Sequence, residues 1–150
     1  MANIETAIKK ESPLKGVMGN ASSGPIRYTL AANPSAADTF QFEELAIGVR
    51  VQDAIVSCSD VDTHATPTAS LRVYISDGTT EIDLIAKAGT PSTIPQGGGV
   101  ARLDQQEGCG YVVPSAGFYL YVDFVATAAT FAAGVLSAGV TVSPHLAQGV

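Results

Sequence analysis

Between Arg27 and Val56 the chain reads RYTLAANPSAADTFQFEELAIGVRVQDAIV, and its apolar residues return at every second position with no helical spacing. A period of two sends successive side chains to opposite faces of an extended strand. The stretch therefore reads as strand, polar turn, strand, short link, strand. Asn33-Pro34 initiates the turn. Tyr28, Leu30, Phe40, Phe42, Val49, Val51 and Ile55 are expected in a core. Along VRVQDAIVSC, Asp53 interrupts the apolar face, and Arg50, Gln52, Ala54, Val56 and Cys58 occupy the other side. A strand that changes its apolar face midway is expected to bend.

The same period continues downstream. SLRVYISDG sets Leu71, Val73 and Ile75 against Arg72 and Tyr74. Asp77-Gly78-Thr79 is a tight-turn signal, and EIDLIAK returns with Ile82, Leu84 and Ala86 inward. Gly110 to Val113 is a short strand. FYLYVDFVAT places Phe118, Leu120, Val122 and Phe124 on one face and Tyr119, Tyr121 and Asp123 on the other. VLSAGVTVS closes the pattern with Leu136, Ala138, Val140 and Val142. About eight strands and no domain helix predict an all-β, two-sheet antiparallel sandwich of jelly-roll type over residues 25–143. An immunoglobulin-like sandwich is the alternative, without its Cys, Trp, Cys signature.

Two segments fall outside this pattern. Residues 1–24 form an extended N-terminal arm. Within it Ile4, Ala7 and Ile8 make one stripe of a short helix capped by Asn3 and stopped before Pro13. Leu14, Val17 and Met18 follow as small apolar anchors in a flexible stretch. Residues 88–108, AGTPSTIPQGGGVARLDQQEG, read as a long irregular loop with a glycine hinge, and long loops in compact domains are usually functional or mobile. Residues 144–150 are a C-terminal tail.

A chain of 150 residues is enough for one domain with a proper core. Only 15% of the residues are charged, against roughly 25% in a typical soluble domain. Either a partner covers part of the surface or hydroxyl-rich strands solvate it. The net charge of −6 and the scattered cations argue against nucleic-acid binding. The absence of Trp argues mildly against sugar stacking. The first sixteen residues lack the apolar region of a secretory signal. The apolar run Phe118–Ala138, broken by Asp123 and Gly134, is too polar for a membrane span. The expectation is a soluble protein made in the cytosol, where Cys58 and Cys109 remain free thiols.

No motif carries chemistry. Asp60, Asp62 and His64 sit in one loop but lack the glycine and distal glutamate of a calcium loop, so strand-end capping is the preferred reading. His64 and His145 have no zinc-ligand spacing, and no GxSxG elbow is present. Gly97-Gly98-Gly99 is followed by no Lys-Ser or Lys-Thr, which excludes a phosphate loop. Asp53 and Asp123 are read as partners of Arg50 or Arg72 on neighbouring strands. Tyr119 and Tyr121 with Asp123 are read as covering the second layer of the sandwich, with a contact face as the alternative. No catalytic residue, metal or cofactor is expected.

The segment YTLAANPSAADTFQFEELAIGVRVQDAIVSCSD resembles small structural proteins of tailed bacteriophages. The similarity lies in the YTLAAN opening, the small-residue and acidic turn, the strand start Gly48-Val49-Arg50-Val51, the hairpin Val73 to Thr79, and the closing VDFVATAATFAAGVLSAGVTV. It runs loosely over residues 25–143. The resemblance implies a non-enzymatic decoration (cement) protein on the outside of a head shell. Its partners would be the major capsid protein and copies of itself, most simply as a trimer, with no nucleic acid and no membrane. It would be made in the host bacterial cytoplasm and end on the capsid surface of the virion. The arm and the 88–108 loop have no counterpart in the resemblance. They are therefore where capsid or subunit contacts are sought: Ile4, Ile8, Leu14, Val17 and Met18 on the arm, and Ile94, Val100 and Leu103 on the loop. The alternatives are a head-fibre base, a tail component, or a host-glycan-binding sandwich module.

Overall fold

The computed structural model of the chain describes residues 3–5, 21–22, 25–36 and 38–144. Two five-stranded sheets pack face to face. The strands are β1 (Asn3–Glu5), β2 (Ala21–Ser22), β3 (Ile26–Leu30), β4 (Thr39–Leu45), β5 (Val49–Cys58), β6 (Ser70–Ser76), β7 (Glu81–Ile85), β8 (Gly99–Arg102), β9 (Phe118–Ala126) and β10 (Gly134–Pro144). One sheet has the order β1-β4-β9-β6-β7. In the other, β10 is flanked on one side by β5 and then β8, and on the other by β3 and β2 placed end to end. Every pairing is antiparallel except β1 with β4. The chain is thus a two-sheet β-sandwich.

Period-two alternation builds the single core between the sheets. Phe40, Phe42, Leu71, Val73, Ile75, Phe118, Leu120, Val122 and Phe124 enter it from the first sheet. Ile26, Leu30, Val49, Val51, Leu136, Ala138, Val140 and Val142 enter from the second. Aromatic rings lock in edge contacts: Phe40 lies 5.2 Å from Tyr28 and 5.9 Å from Phe124 between ring centroids. The β6–β7 hairpin forms as its turn residues require. Gly78 has φ +92°, and the Asp77 carboxylate accepts from the amides of Thr79 and Thr80 at 2.9 and 2.7 Å.

Four local expectations are corrected. The first turn of the expected N-terminal helix is instead strand β1, whose Asn3–Glu5 pair with Thr39–Gln41. An isolated helix of this length is marginal, whereas the edge of β4 offers a ready ladder. The rest of the arm, with Ile8, Leu14, Val17 and Met18, lies outside the described residues. The 88–108 segment is not irregular throughout: it holds a 3-10 turn at Ile94–Gln96 and strand β8. Its triple glycine is no hinge. Gly98 takes φ +74° where a Cβ would stand 3.1 Å from the Asp60 amide, and Gly99 pairs with Cys58. Finally, β5 switches faces through a register shift opposite Thr141 and Val142. Ala54, Val56 and Cys58 are therefore buried, while Ile55 turns to the outer side and is half-exposed.

Candidate interaction surfaces

The outer face of the first sheet is ordered by its strand register. Thr39, Asp123 and Arg72 stand in one row, Gln41, Tyr121, Tyr74 and Asp83 in the next, and Glu44, Tyr119, Ser76 and Glu81 in the third. These side chains interlock. Tyr74 and Tyr121 stack at 5.4 Å, and Tyr119 tilts against Tyr121 at 6.4 Å. The Arg72 guanidinium lies 4.2 Å over the Tyr74 ring. It also donates to Glu81 at 3.0 Å, Asp83 at 3.3 Å and Asp123 at 3.1 Å, while the Tyr74 hydroxyl donates to Asp123 at 3.2 Å. The pairing of Asp123 with Arg72 is the one read from sequence. Asp53 pairs with Arg102 instead of Arg50, because β8 lies beside it. Tyr119 and Tyr121 point away from the second sheet and so do not cover its layer: the inward positions of β9 belong to Phe118, Leu120, Val122 and Phe124.

Asp83 sits above its usual carboxyl range. Partial burial is the main cause, Arg72 opposes it, and the nearby Glu107 and Glu81 raise it further. A recess lined by Asp83, Lys87, Gln105, Gln106 and Glu107 opens beside it. The outer edge of β7 is closed by the segment 104–108. Leu84 O accepts from the amides of Asp104 and Gln105, Ala86 N donates to Asp104, and Asp83 N donates to Glu107. Gly108 must be glycine for this close approach, since a Cβ there would fall 2.6 Å from Asp83 O.

At one end of the sandwich, buried polar side chains tie loops together. Asp62 is only 1% exposed, and its carboxylate accepts from the amides of Thr68 (2.7 Å), Ala69 (2.9 Å), Ala129 (3.1 Å) and Thr130 (3.1 Å). Burial alone would raise its pKa, but the four backbone N–H groups overcome that and hold it well below the carboxylate range. The Asn33 side chain clamps Ala128 by bonds to both its carbonyl and its amide. The acidic loop therefore caps strand ends, and its central carboxylate is committed to backbone donors. His64 bonds locally, its ring Nδ1 accepting from Thr66 N at 3.0 Å.

Exposed large apolar residues mark two further places. Val100 on β8 is 61% exposed and Ile47, in the β4–β5 turn, is 62% exposed. Ile94 and Leu103, grouped with Val100 by the sequence, are half-buried against the core. Ile47 was missed because one apolar residue in a turn carries no periodic signal. Cys58 is buried, its thiol pushed up to about 12 by burial and by Asp60, while Cys109 is exposed. Gly110 N bonds Val51 O, near the opposite end of β5 from Cys58, so roughly 20 Å of strand separates the two thiols. Among the described residues, no group of three or more His, Cys, Asp or Glu is placed to hold a metal ion, and no helix is long and apolar enough to cross a membrane.

No protein-family model matches the chain, and no curated protein sequence matches it. Two solved structures share its fold. A chain in the capsid of Ralstonia phage GP4 superposes with a TM-score of 0.76 at 22% identity, covering 97% of this chain and 100% of that one. A chain in the capsid asymmetric unit of cyanophage Pam1 superposes with a TM-score of 0.67 at 24% identity, covering 83% of this chain and 85% of that one. The sandwich described above is therefore a fold also found, nearly end to end, in chains of two phage capsid structures.

Proposed function

We propose that the chain is a non-enzymatic virion structural protein that binds the outside of a phage head shell and stabilises it. The observation that carries this reading is the end-to-end likeness of its fold to chains from two phage capsids. The surfaces agree with it, since they consist of sheet faces, edges and exposed apolar points, with polar side chains committed to structure. The strand orders β3-β10-β5-β8 and β4-β9-β6-β7 support a jelly-roll winding for the sandwich. The partners are the major capsid protein and further copies of the chain, a trimer being the simplest symmetric assembly. Many modest contacts repeated by symmetry give such a coat its avidity. The arm residues Ile4, Ile8, Leu14, Val17 and Met18 contribute contacts, as does Val100. Ile94 and Leu103 anchor the β8 segment to the core behind Val100.

Purified protein should bind heads assembled without it and raise their disruption temperature, read by light scattering on heating. Removing residues 1–20 should weaken that binding about tenfold or more, as expected when one of several linked contacts is lost. Heads that take up no protein, or density for it on the tail in a virion map, would sink the head-surface reading. Undiminished binding after the truncation would remove the arm from it.

A further inference from the structure

We infer that the β3 edge of one copy pairs with the β8 edge of the next, so that the second sheet runs on from copy to copy. This deepens the reading of further copies as partners and rests on that part of it. The direction of the backbone groups carries it. Leu103 N donates to Ala54 O at 3.0 Å, and this pair continues the register of Arg102 with Ile55 and Ala101 with Val56. Hydrogen-bonded pairs alternate along an antiparallel ladder. Gly99 and Ala101 therefore bond β5, while Val100 and Arg102 turn their N–H and C=O groups away from it. On the other side of the sheet, Ser59 N donates to Val135 O at 3.0 Å and continues the register of Ser57 with Ser137. Val135 and Ser137 thus bond β5, and Leu136 and Ala138 bond Tyr28 and Ile26 of β3. Arg27 and Thr29 are left with their backbone groups pointing outward. These outward residues of β3 and β8 are exposed. Among the described residues, no hydrogen bond reaches their outward backbone groups. Other edges are covered by the chain itself: β1 lies on β4, the segment 104–108 closes β7, and residues 110–113 bond the first half of β5. An open edge beside an exposed apolar residue, here Val100 at 61%, is a template for another strand. A second copy is the occupant because one sheet holds both open edges, on opposite sides. Pairing β8 with β8 would leave β3 open, whereas head-to-tail pairing satisfies both edges with one contact repeated. The twist between paired strands supplies the rotation by which such a contact closes into a ring. Arg102 is already paired with Asp53, so Arg27 of the neighbour meets no uncompensated cation there.

The test is the oligomeric state of the purified full chain, read by sedimentation over a concentration series. Wild type should form a discrete oligomer. Val100→Pro and Thr29→Pro each remove one outward N–H and leave the internal ladder intact, so both should melt within a few degrees of wild type. Each should weaken self-association about tenfold or more, the effect of losing at least one interfacial hydrogen bond. Mixed together, the two should form mixed dimers, because each variant keeps the edge that the other lacks. Val100→Thr keeps the N–H and should assemble as wild type. Hydrogen exchange on wild type gives a second reading that needs no variant: the amides of Arg27, Thr29, Val100 and Arg102 should slow on assembly. A monomeric wild type, free exchange at those amides in the oligomer, or folded proline variants that assemble as wild type would each overturn the proposal. Loss of assembly in Val100→Pro alone would show that β8 pairs with itself, and overturn it too. Proline variants that lose head binding with self-association unchanged would name a segment of the shell protein as the occupant, again overturning it. Oligomers that behave as expected but take no place on heads would sink the head-surface reading and leave the pairing of copies standing.

Discussion

Replacing Asp62 by alanine should lower the melting temperature by on the order of 10 °C. The carboxylate is buried and accepts from backbone amides in two loops, residues 68–69 and 129–130, with a longer bond from His64 N; the Thr68 hydroxyl, donating to Thr127 O at 2.8 Å, is a second tie between the same loops. Alanine leaves the Thr68, Ala69, Ala129 and Thr130 amides without this acceptor, the Ala69 amide in a buried position, and an unmet buried donor costs more than a met one contributes. Asparagine is close in shape but replaces one acceptor oxygen by an NH2 group that faces donors, so Asp62→Asn should recover only part of the loss. Acid should act through the same group. Its folded pKa lies below the unfolded value of about 4, so the stability it supplies is complete above that value and is surrendered progressively as pH falls below it. Circular-dichroism melts between pH 7 and pH 2.5 should show wild type declining below about pH 4. The Asp62→Asn profile should be flatter over that range. A variant melting with wild type at pH 7 would show that the two loops are held by other means.

The strands were legible because each has one buried face. Phe118, Leu120, Val122 and Phe124 alternate in sequence and alternate in space, and the Asp77-Gly78 turn dictates its own geometry. What stayed hidden depends on pairing. Nothing local says that Asn3–Glu5 will add to the edge of β4, because that edge is made by residues more than thirty positions away. β8 was concealed by the glycines that lead into it, which carry no periodic signal, although Gly99 already pairs with Cys58 of β5. The β5 face switch was visible as Asp53, but its consequence for Ile55 needed the position of the register shift. The tyrosine face was half-legible. Tyr119, Tyr121 and Asp123 share a face by alternation, yet their junction with Arg72, Tyr74, Glu81 and Asp83 exists only once β6 lies beside β9. Asp62 was read as a cap from its loop context. Its burial, and the number of amides it collects, come from a loop nearly seventy residues later in the chain.

Phe124→Ala should cost about 3–5 kcal/mol of folding stability, or about 10 °C in melting temperature. Its ring is 1% exposed and packs at 5.9 Å against Phe40, which in turn meets Tyr28 on the opposite sheet. Truncation opens a cavity at the point where β3, β4 and β9 converge, and the edge contacts that fix the Phe40 ring on one side disappear. Phe124→Leu refills most of the volume and should cost less than half as much. Denaturant unfolding gives both numbers directly. The outer face beside it should respond differently, because alternation sends Asp123 and Phe124 to opposite sides of β9. Well below its melting temperature, Phe124→Ala should therefore bind heads as tightly as wild type. If the core variant lost binding while still folded, the outer face would depend on core packing for its geometry.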